Sequence, residues 1–350
     1  MVSNVGKMRW YGMKGNGINI TYSGLEFDVA KSALQKYIRR GVLDKALLTA
    51  VEIYRLSEIG GDPAVSNLCN RLAIIAVEDI GAANISLVID VIQLLENGTR
   101  DIATLLAMVQ LLCASDKTRM MSHCWRSYAT SEGRIVAANT GITLDTTFTM
   151  DDTAYVRQNM NCTLFANDDP ENLRWYILVF LRRLYLKDLN AFSWAYFYLI
   201  ASENIMIARR RKFINGNARN VTGKPDILLW KALAQVLPTN VHDILVAGYY
   251  NHTENRPFLQ CGILTGLYGT SYSPADVPSL SKLWTTNDEL TKMMRGDYTL
   301  VVDDYVVDKH TRLGRLENKT IKDFVNKGAV VVPQSTLFYN EQLAELYRRR

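Results

Sequence analysis

Pairs of adjacent carboxylates stand out in the chain, among them Glu78-Asp79, Asp151-Asp152, Asp168-Asp169 and Asp303-Asp304. Paired acids can share a metal ion or divide general acid and general base work between them. The first pair closes an apolar run, "NRLAIIAVEDIG", whose spacing predicts a helix ending at Gly81. Carboxylates at a helix C-terminus oppose the helix dipole. A structural ion-pair cluster is therefore the expected reading, with Arg71, Arg39 and Arg40 as candidate partners of Glu78 and Asp79. Asp168-Asp169 precedes Pro170 and fits a helix N-cap. A strand period of two would point Asp303 and Asp304 to opposite faces, which disfavours a shared metal.

The residue types that mark common catalytic sites do not form recognisable patterns. There is no GxxxxGK[ST], HExxH or GxSxG motif and no zinc-ligand spacing, and the four histidines, His123, His242, His252 and His310, lie far apart in sequence. Gly223-Lys224 is followed by Pro225, which excludes a phosphate loop there. No catalytic residue, metal site or cofactor is assigned on these grounds. The expectation is a protein that is not an enzyme.

Basic residues are more suggestive. Arg209, Arg210, Arg211 and Lys212 close a helical pattern, and three arginines end the sequence. Cations at a helix C-terminus have a dipole rationale of their own, but a run of four exceeds it. From Lys309 to Lys327 there are six Lys/Arg against two acids, a net of +4. With Lys309, His310, Arg312 and Arg315 interleaved by hydroxyls and glycine in "DKHTRLGR", this is a candidate phosphate-contacting loop. A solvated face remains the alternative.

These residues need a scaffold. The chain has 350 residues, 48% hydrophobic and 21% charged, with a net charge of +5, so it can bury a large core. Five scattered cysteines without a C-x-x-C pair read as reduced core residues. The N-terminus carries no apolar signal region, and no stretch reaches about 18 uncharged apolar residues. The expectation is an intracellular, cytoplasmic or nuclear chain that is not secreted and has no membrane span.

Hydrophobic periodicity predicts a mainly α fold, a bundle or solenoid of helix–turn–helix units with a small β element near the C-terminus. Residues 1–22 read as an N-terminal arm, 23–128 as a helical domain, 129–169 as an irregular linker, 170–298 as a second helical domain, and 299–350 as a strand, basic loop and helix. "SGLEFDVAKSALQKYIRRG" offers Ser23 as a cap, Arg39 and Arg40 in the last turn and Gly41 as the stop. "YTLVVDDYVV" and "GAVVVP" are the strand candidates. The layout from Ile38 recurs from Leu181, a basic doublet followed by an acid and an aromatic stripe, as a duplication or as two helical hairpins patterned alike.

Two stretches together, "SALQKYIRRG…KALLTAVEIY…NRLAIIAVEDIGAAN" and "DYVVDKHTRLGR…DFVNKGAVV", resemble the C-terminal helical region of the replication-associated recombination protein A (MgsA) and Werner-helicase-interacting ATPases, relatives of the clamp loaders. The likeness covers roughly residues 23–127 and 300–333, the second part resembling stand-alone members without the ATPase module. It implies a helical oligomerisation collar. The implied function is a non-catalytic accessory protein of DNA replication, recombination or repair, with DNA, replication proteins or a second copy as partners. Stand-alone forms of this kind also resemble viral proteins. Where the family pattern continues with a second Gly-rich basic stretch after Gly314-Arg315, this chain has "LENKT". A purely structural, self-assembling protein and a metal-dependent nuclease using the acidic doublets are the competing readings.

Overall fold

In the computed structural model the described residues are 20–349, except 61–62, 142–143, 145–146, 168, 209–225, 270–286 and 297. About 70% of the chain is helical, so the fold is mainly α as the periodicity predicts. The described residues contain isolated bridges, such as Ile20 with Glu26, but no β-strand. The chain divides into two compact units that interleave along the sequence. One comprises residues 1–76, 93–117 and 275–333; the other comprises 77–92, 118–274 and 334–350.

The first unit is built on helices α1 (Phe27–Arg40) and α2 (Leu43–Arg55), which pack on each other and on helices Pro63–Ile75 and Ile102–Ala114. α1 buries Val29, Ala30, Ala33, Leu34, Tyr37 and Ile38, the one-face spacing of an amphipathic helix. Asp28 lies in its first turn and Arg39 and Arg40 in its last, both favoured by the dipole. Gly41 ends it in the left-handed region at φ 66°, returning its N–H to Ile38 O. The start differs from expectation. Ser23 does not cap the helix; its N–H and Oγ both donate to Glu52, each at 2.9 Å. Glu52 is fully buried, and donors including Thr21, Ser23 and Tyr298 keep its carboxyl below the usual range against the opposing effect of burial.

The second unit carries Glu171–Tyr185 packed on Ala191–Ala208, so the second of the two similar sequence layouts is a helical hairpin like α1–α2. Segment 129–169 is not an irregular linker. It holds helices Ser131–Asn139 and Met150–Asn159, each started by a threonine, Thr130 accepting from Gly133 N and Thr149 forming a capping box with Asp152. Thr and Asp that look like loop composition are therefore helix caps. Asp169 does not cap the following helix; its Oδ2 accepts from Ala166 N at 2.7 Å.

The run from Pro63 does not end at Gly81. It passes through a π turn, Ala76–Ile80, and a 3-10 turn, Gly81–Asn84, into Ile85–Glu96. By length and composition this run could cross a membrane, with a mean hydropathy of 1.9 over its most apolar window, but 83% of that window is buried inside the protein, as in a core helix. The cysteines are free; Cys69, Cys113, Cys124 and Cys261 are buried, and Cys162 is partly exposed. The expected N-terminal arm, apart from its last residues, lies outside the described residues.

Candidate nucleic-acid interface

The basic stretch at 309–327 belongs to a segment laid along α1 in the first unit. The strand expected through "YTLVVDDYVV" does not form. Residues 299–303 have no regular secondary structure, and Asp304–Val306 is a 3-10 turn. α1 holds this segment through side chains, which offer no β-ladder. Ser32 Oγ and Lys36 Nζ donate to Val306 O at 2.7 and 2.8 Å. Lys36 Nζ also meets Asp308 Oδ2 at 2.6 Å, with both side chains almost fully buried. Farther along α1, Arg39 Nη1 donates to Gly328 O at 2.6 Å and Arg40 Nη2 to Lys327 O at 2.5 Å. The Arg40 guanidinium also stacks 4.0 Å from the centre of the Tyr305 ring. From α2, Lys45 pairs with Asp303 at 2.7 Å. "SALQKYIRRG" and "DYVVDKHTRLGR…DFVNKGAVV", nearly 300 residues apart, are thus two sides of one contact.

This fixes the candidate loop. His310, Arg312 and Arg315 are all exposed as expected, but 312 and 315 ride a short helix, Arg312–Leu316, capped by Thr311. Arg312 is paired with Glu26, and its N–H donates to Asp28. Arg315 Nη1 donates to the His310 carbonyl at 2.9 Å. Asp308, close to Arg315 in sequence, is the partner of Lys36. His310 sets its ring against the edge of Phe324 at 5.2 Å. Lys319 and Lys327 converge on Asp304 at 2.8 and 3.0 Å. Asp303 and Asp304 do point to different partners. Lys309, Arg315 and Lys322 make no ion pair among the described residues. Arg209, Arg210, Arg211 and Lys212 lie outside the described residues.

In the second unit, Glu78 and Asp79 form an ion-pair cluster, and a cation outside the sequence candidates takes part in it. Arg119 Nη1 lies 2.5 Å from Glu78 Oε1 and 3.2 Å from Asp79 Oδ1, with Asp79 fully buried and Arg119 only 4% exposed. Arg71 reaches Gln35 at 3.5 Å, and Arg39 and Arg40 hold residues 327 and 328. The Asp79 carbonyl also receives the Thr118 N–H at 2.9 Å, which ties the π turn to the residue beside Arg119. Burial alone would lower the Arg119 pKa, but the two carboxylates raise it and keep the guanidinium charged. The doublet at 151–152 is spent in the same manner. Asp152, fully buried, takes Arg183 at 2.5 Å and Arg182 at 3.0 Å.

His123, near Arg119, packs on Tyr347 with ring centres 4.7 Å apart. Burial, reinforced by the charges of Arg119 and Arg348, lowers its pKa to about 3. The unfolded chain takes up that proton near 6.5, so between roughly 6.5 and 3 it binds more protons than the folded chain, and stability falls as pH falls. The ring keeps some exposure, so about 2–3 kcal/mol is expected rather than the ~5 of the full shift. Urea titrations at pH 4 and 7 should show that much less acid destabilisation in His123→Phe than in the wild type; identical pH profiles would refute this.

Sequence reasoning missed Arg119 and Asp152 as the pivots of these clusters. For Arg119 the available signal was a pair of carboxylates inside an apolar helical run, which demands a cation from somewhere in the fold. Among the described residues no group of three or more His, Cys, Asp or Glu could hold a metal ion. No protein-family model, curated protein or solved structure matches the chain.

Proposed function

We propose that the chain is a non-catalytic helical accessory protein that contacts DNA through the outer edge of the 309–322 segment, in replication, recombination or repair. The observation that carries this reading is the fate of the basic residues there. Arg312, Lys319 and Lys327 are spent on Glu26 and Asp304, while Lys309, Arg315 and Lys322 stay outside those pairs on a segment that buried contacts hold in place. Fixed cations of this kind position a phosphate backbone without reading bases. The resemblance of residues 23–127 and 300–333 to the collar region of recombination ATPases supports the same reading. The acidic doublets argue against a nuclease, since Glu78-Asp79, Asp151-Asp152 and Asp303-Asp304 are committed to arginines and lysines.

Three phosphate contacts give a salt slope of about −2.7 on duplex DNA, and each substituted cation should flatten it by about one unit. Fluorescence anisotropy of a labelled duplex over a range of salt, with Lys309→Ala, Arg315→Ala and Lys322→Ala singly and together, makes the measurement. A triple variant with wild-type affinity and slope would reject the interface. Three cations spent internally also suit the competing reading, a purely structural, self-assembling protein, which predicts that outcome together with concentration-dependent association in sedimentation.

A further inference from the structure

In the second unit, the first two turns of the Glu171–Tyr185 helix carry an open cleft of about 530 Å³, within the size range of small-ligand sites. Among the described residues it is lined by Glu171, Asn172, Trp175 and Tyr176. They form two neighbouring i,i+4 rows, Glu171 with Trp175 and Asn172 with Tyr176, so each ring stands one turn from a polar side chain. Trp175 and Tyr176 are half-buried; Glu171 and Asn172 are exposed. Phe148 backs the indole of Trp175, with ring centres 4.0 Å apart and planes tilted by 33°. So short a separation needs a face-on approach, so one face of the indole is taken and the cleft meets the rest of it. The Glu171 carboxylate and the Asn172 carboxamide make no hydrogen bond or ion pair among the described residues.

This lining selects a class of ligand. No cation stands among the four residues, and the neighbouring Arg174 is turned to the carbonyls of Ala166, Asn167 and Asp169, so the cleft is not built for a phosphate. An organic cation would meet the positive end of the helix dipole in this first turn. A flat, uncharged ring with N–H donors on its edge suits both rows, stacking on Trp175 and donating to Glu171. Cytosine, adenine and guanine carry such an amino group, and thymine does not. A base stacked inside a duplex cannot offer its face to Trp175, so the polymer must be single-stranded. A cation stands three ring-to-ring steps away, a span that a few nucleotides cover. The Tyr176 ring lies 6.1 Å from that of Trp194, Trp194 lies 5.6 Å from Phe197, and the Arg134 guanidinium lies 5.2 Å from the Phe197 ring. Arg134 is partly exposed and makes no ion pair among the described residues.

We propose that this cleft is a base-binding pocket for single-stranded nucleic acid, in which one amino-bearing base stacks on Trp175, donates to Glu171 and leads its strand past Arg134. The proposal takes its polymer from the nucleic-acid reading above and places it on a different surface.

Anisotropy of labelled oligo(dC) and oligo(dT) hexamers, which carry equal charge, supplies the test. The wild-type protein should bind the dC hexamer about tenfold tighter than the dT hexamer. Glu171→Gln alters an exposed, unpaired side chain, so the fold is kept, and it should bring that ratio to about one. Trp175→Ala, checked for folding by circular dichroism, should weaken both hexamers about tenfold. Arg134→Gln should weaken both alike and flatten the salt slope by about 0.7, with the ratio unchanged. A wild-type ratio of one, a ratio that survives Glu171→Gln, or a folded Trp175→Ala protein of undiminished affinity would each overturn the proposal. Displacement of the dC hexamer by choline chloride, beyond that caused by sodium chloride at equal concentration, would also overturn it and assign the cleft to an organic cation. Failure of the outer interface reads out separately, as hexamer affinities that ignore the Lys309, Arg315 and Lys322 substitutions while the dC to dT ratio stands.

Discussion

Asp79→Ala is expected to cost about 3–5 kcal/mol of folding stability, the usual penalty for removing one partner of a buried ion pair. Asp79 is fully buried, and Arg119, its partner at 3.2 Å, is nearly so. Without Asp79 the guanidinium stays in the interior with one remaining carboxylate, Glu78, which is 23% exposed and screened by water. Glu78→Ala should therefore cost less, because solvent reaches the site it leaves. Arg119→Met should cost at least as much as Asp79→Ala, since it removes a buried cation that pairs with two carboxylates at once. Chemical denaturation gives all three values. The cluster is structural, so DNA affinity per folded molecule should not change in any of them. An Asp79→Ala protein with wild-type stability that had lost DNA binding would reverse this assignment and make the carboxylates functional.

An apolar helix ending in two acids requires a counter-charge, and that need is legible in the sequence. The part played by Arg119 is not, because it lies some 40 residues on and only the fold brings it to the pair. The π turn at Ala76–Ile80 hides the geometry further. One extra residue in the turn rotates the next helix out of the 3.6-residue period from which faces are read. The helices α1 and α2 are legible because dipole-favoured charges, apolar spacing and Gly41 agree. Residues 129–169 are not, because two short helices depend on the Thr130 and Thr149 caps rather than on an apolar stripe. In "YTLVVDDYVV" the apparent period of two does not mean a strand. Leu300 and Val306 are buried, but Asp304, in phase with them, is exposed and opens a 3-10 turn. Alternation reports one buried side, and it does not say whether a helix or a strand covers it. The basic loop is legible in its exposure and illegible in its pairing, since Glu26 and Asp28 reach Arg312 from the far end of the sequence.

Gly314→Ala is expected to cost more than about 3 kcal/mol, beyond the usual 1–3 for overpacking, and to free the 304–316 segment. Sequence reading treats this glycine as punctuation in a loop. The structure gives it a steric role inside the Arg312–Leu316 helix. A Cβ there would lie 1.8 Å from the Asp308 carbonyl oxygen and 2.4 Å from its carbon. That carbonyl cannot retreat. It accepts the Thr311 hydroxyl at 2.8 Å, and the Asp308 side chain is pinned to Lys36 at 2.6 Å. The Thr311 Oγ that caps the helix, 3.0 Å from Gly314 N, is itself only 2.9 Å from the added carbon, so relief in that direction would break the cap. Gly98 provides the control. It adopts φ 90° with nothing within 4 Å of an added Cβ, so Gly98→Ala pays only for the left-handed backbone, about 1–2 kcal/mol. Urea titration of the two variants compares the costs, and hydrogen exchange localises them. If Gly314→Ala cost no more than Gly98→Ala, or left exchange across 304–316 unchanged, the close approach of the Asp308 carbonyl would not be what requires glycine there.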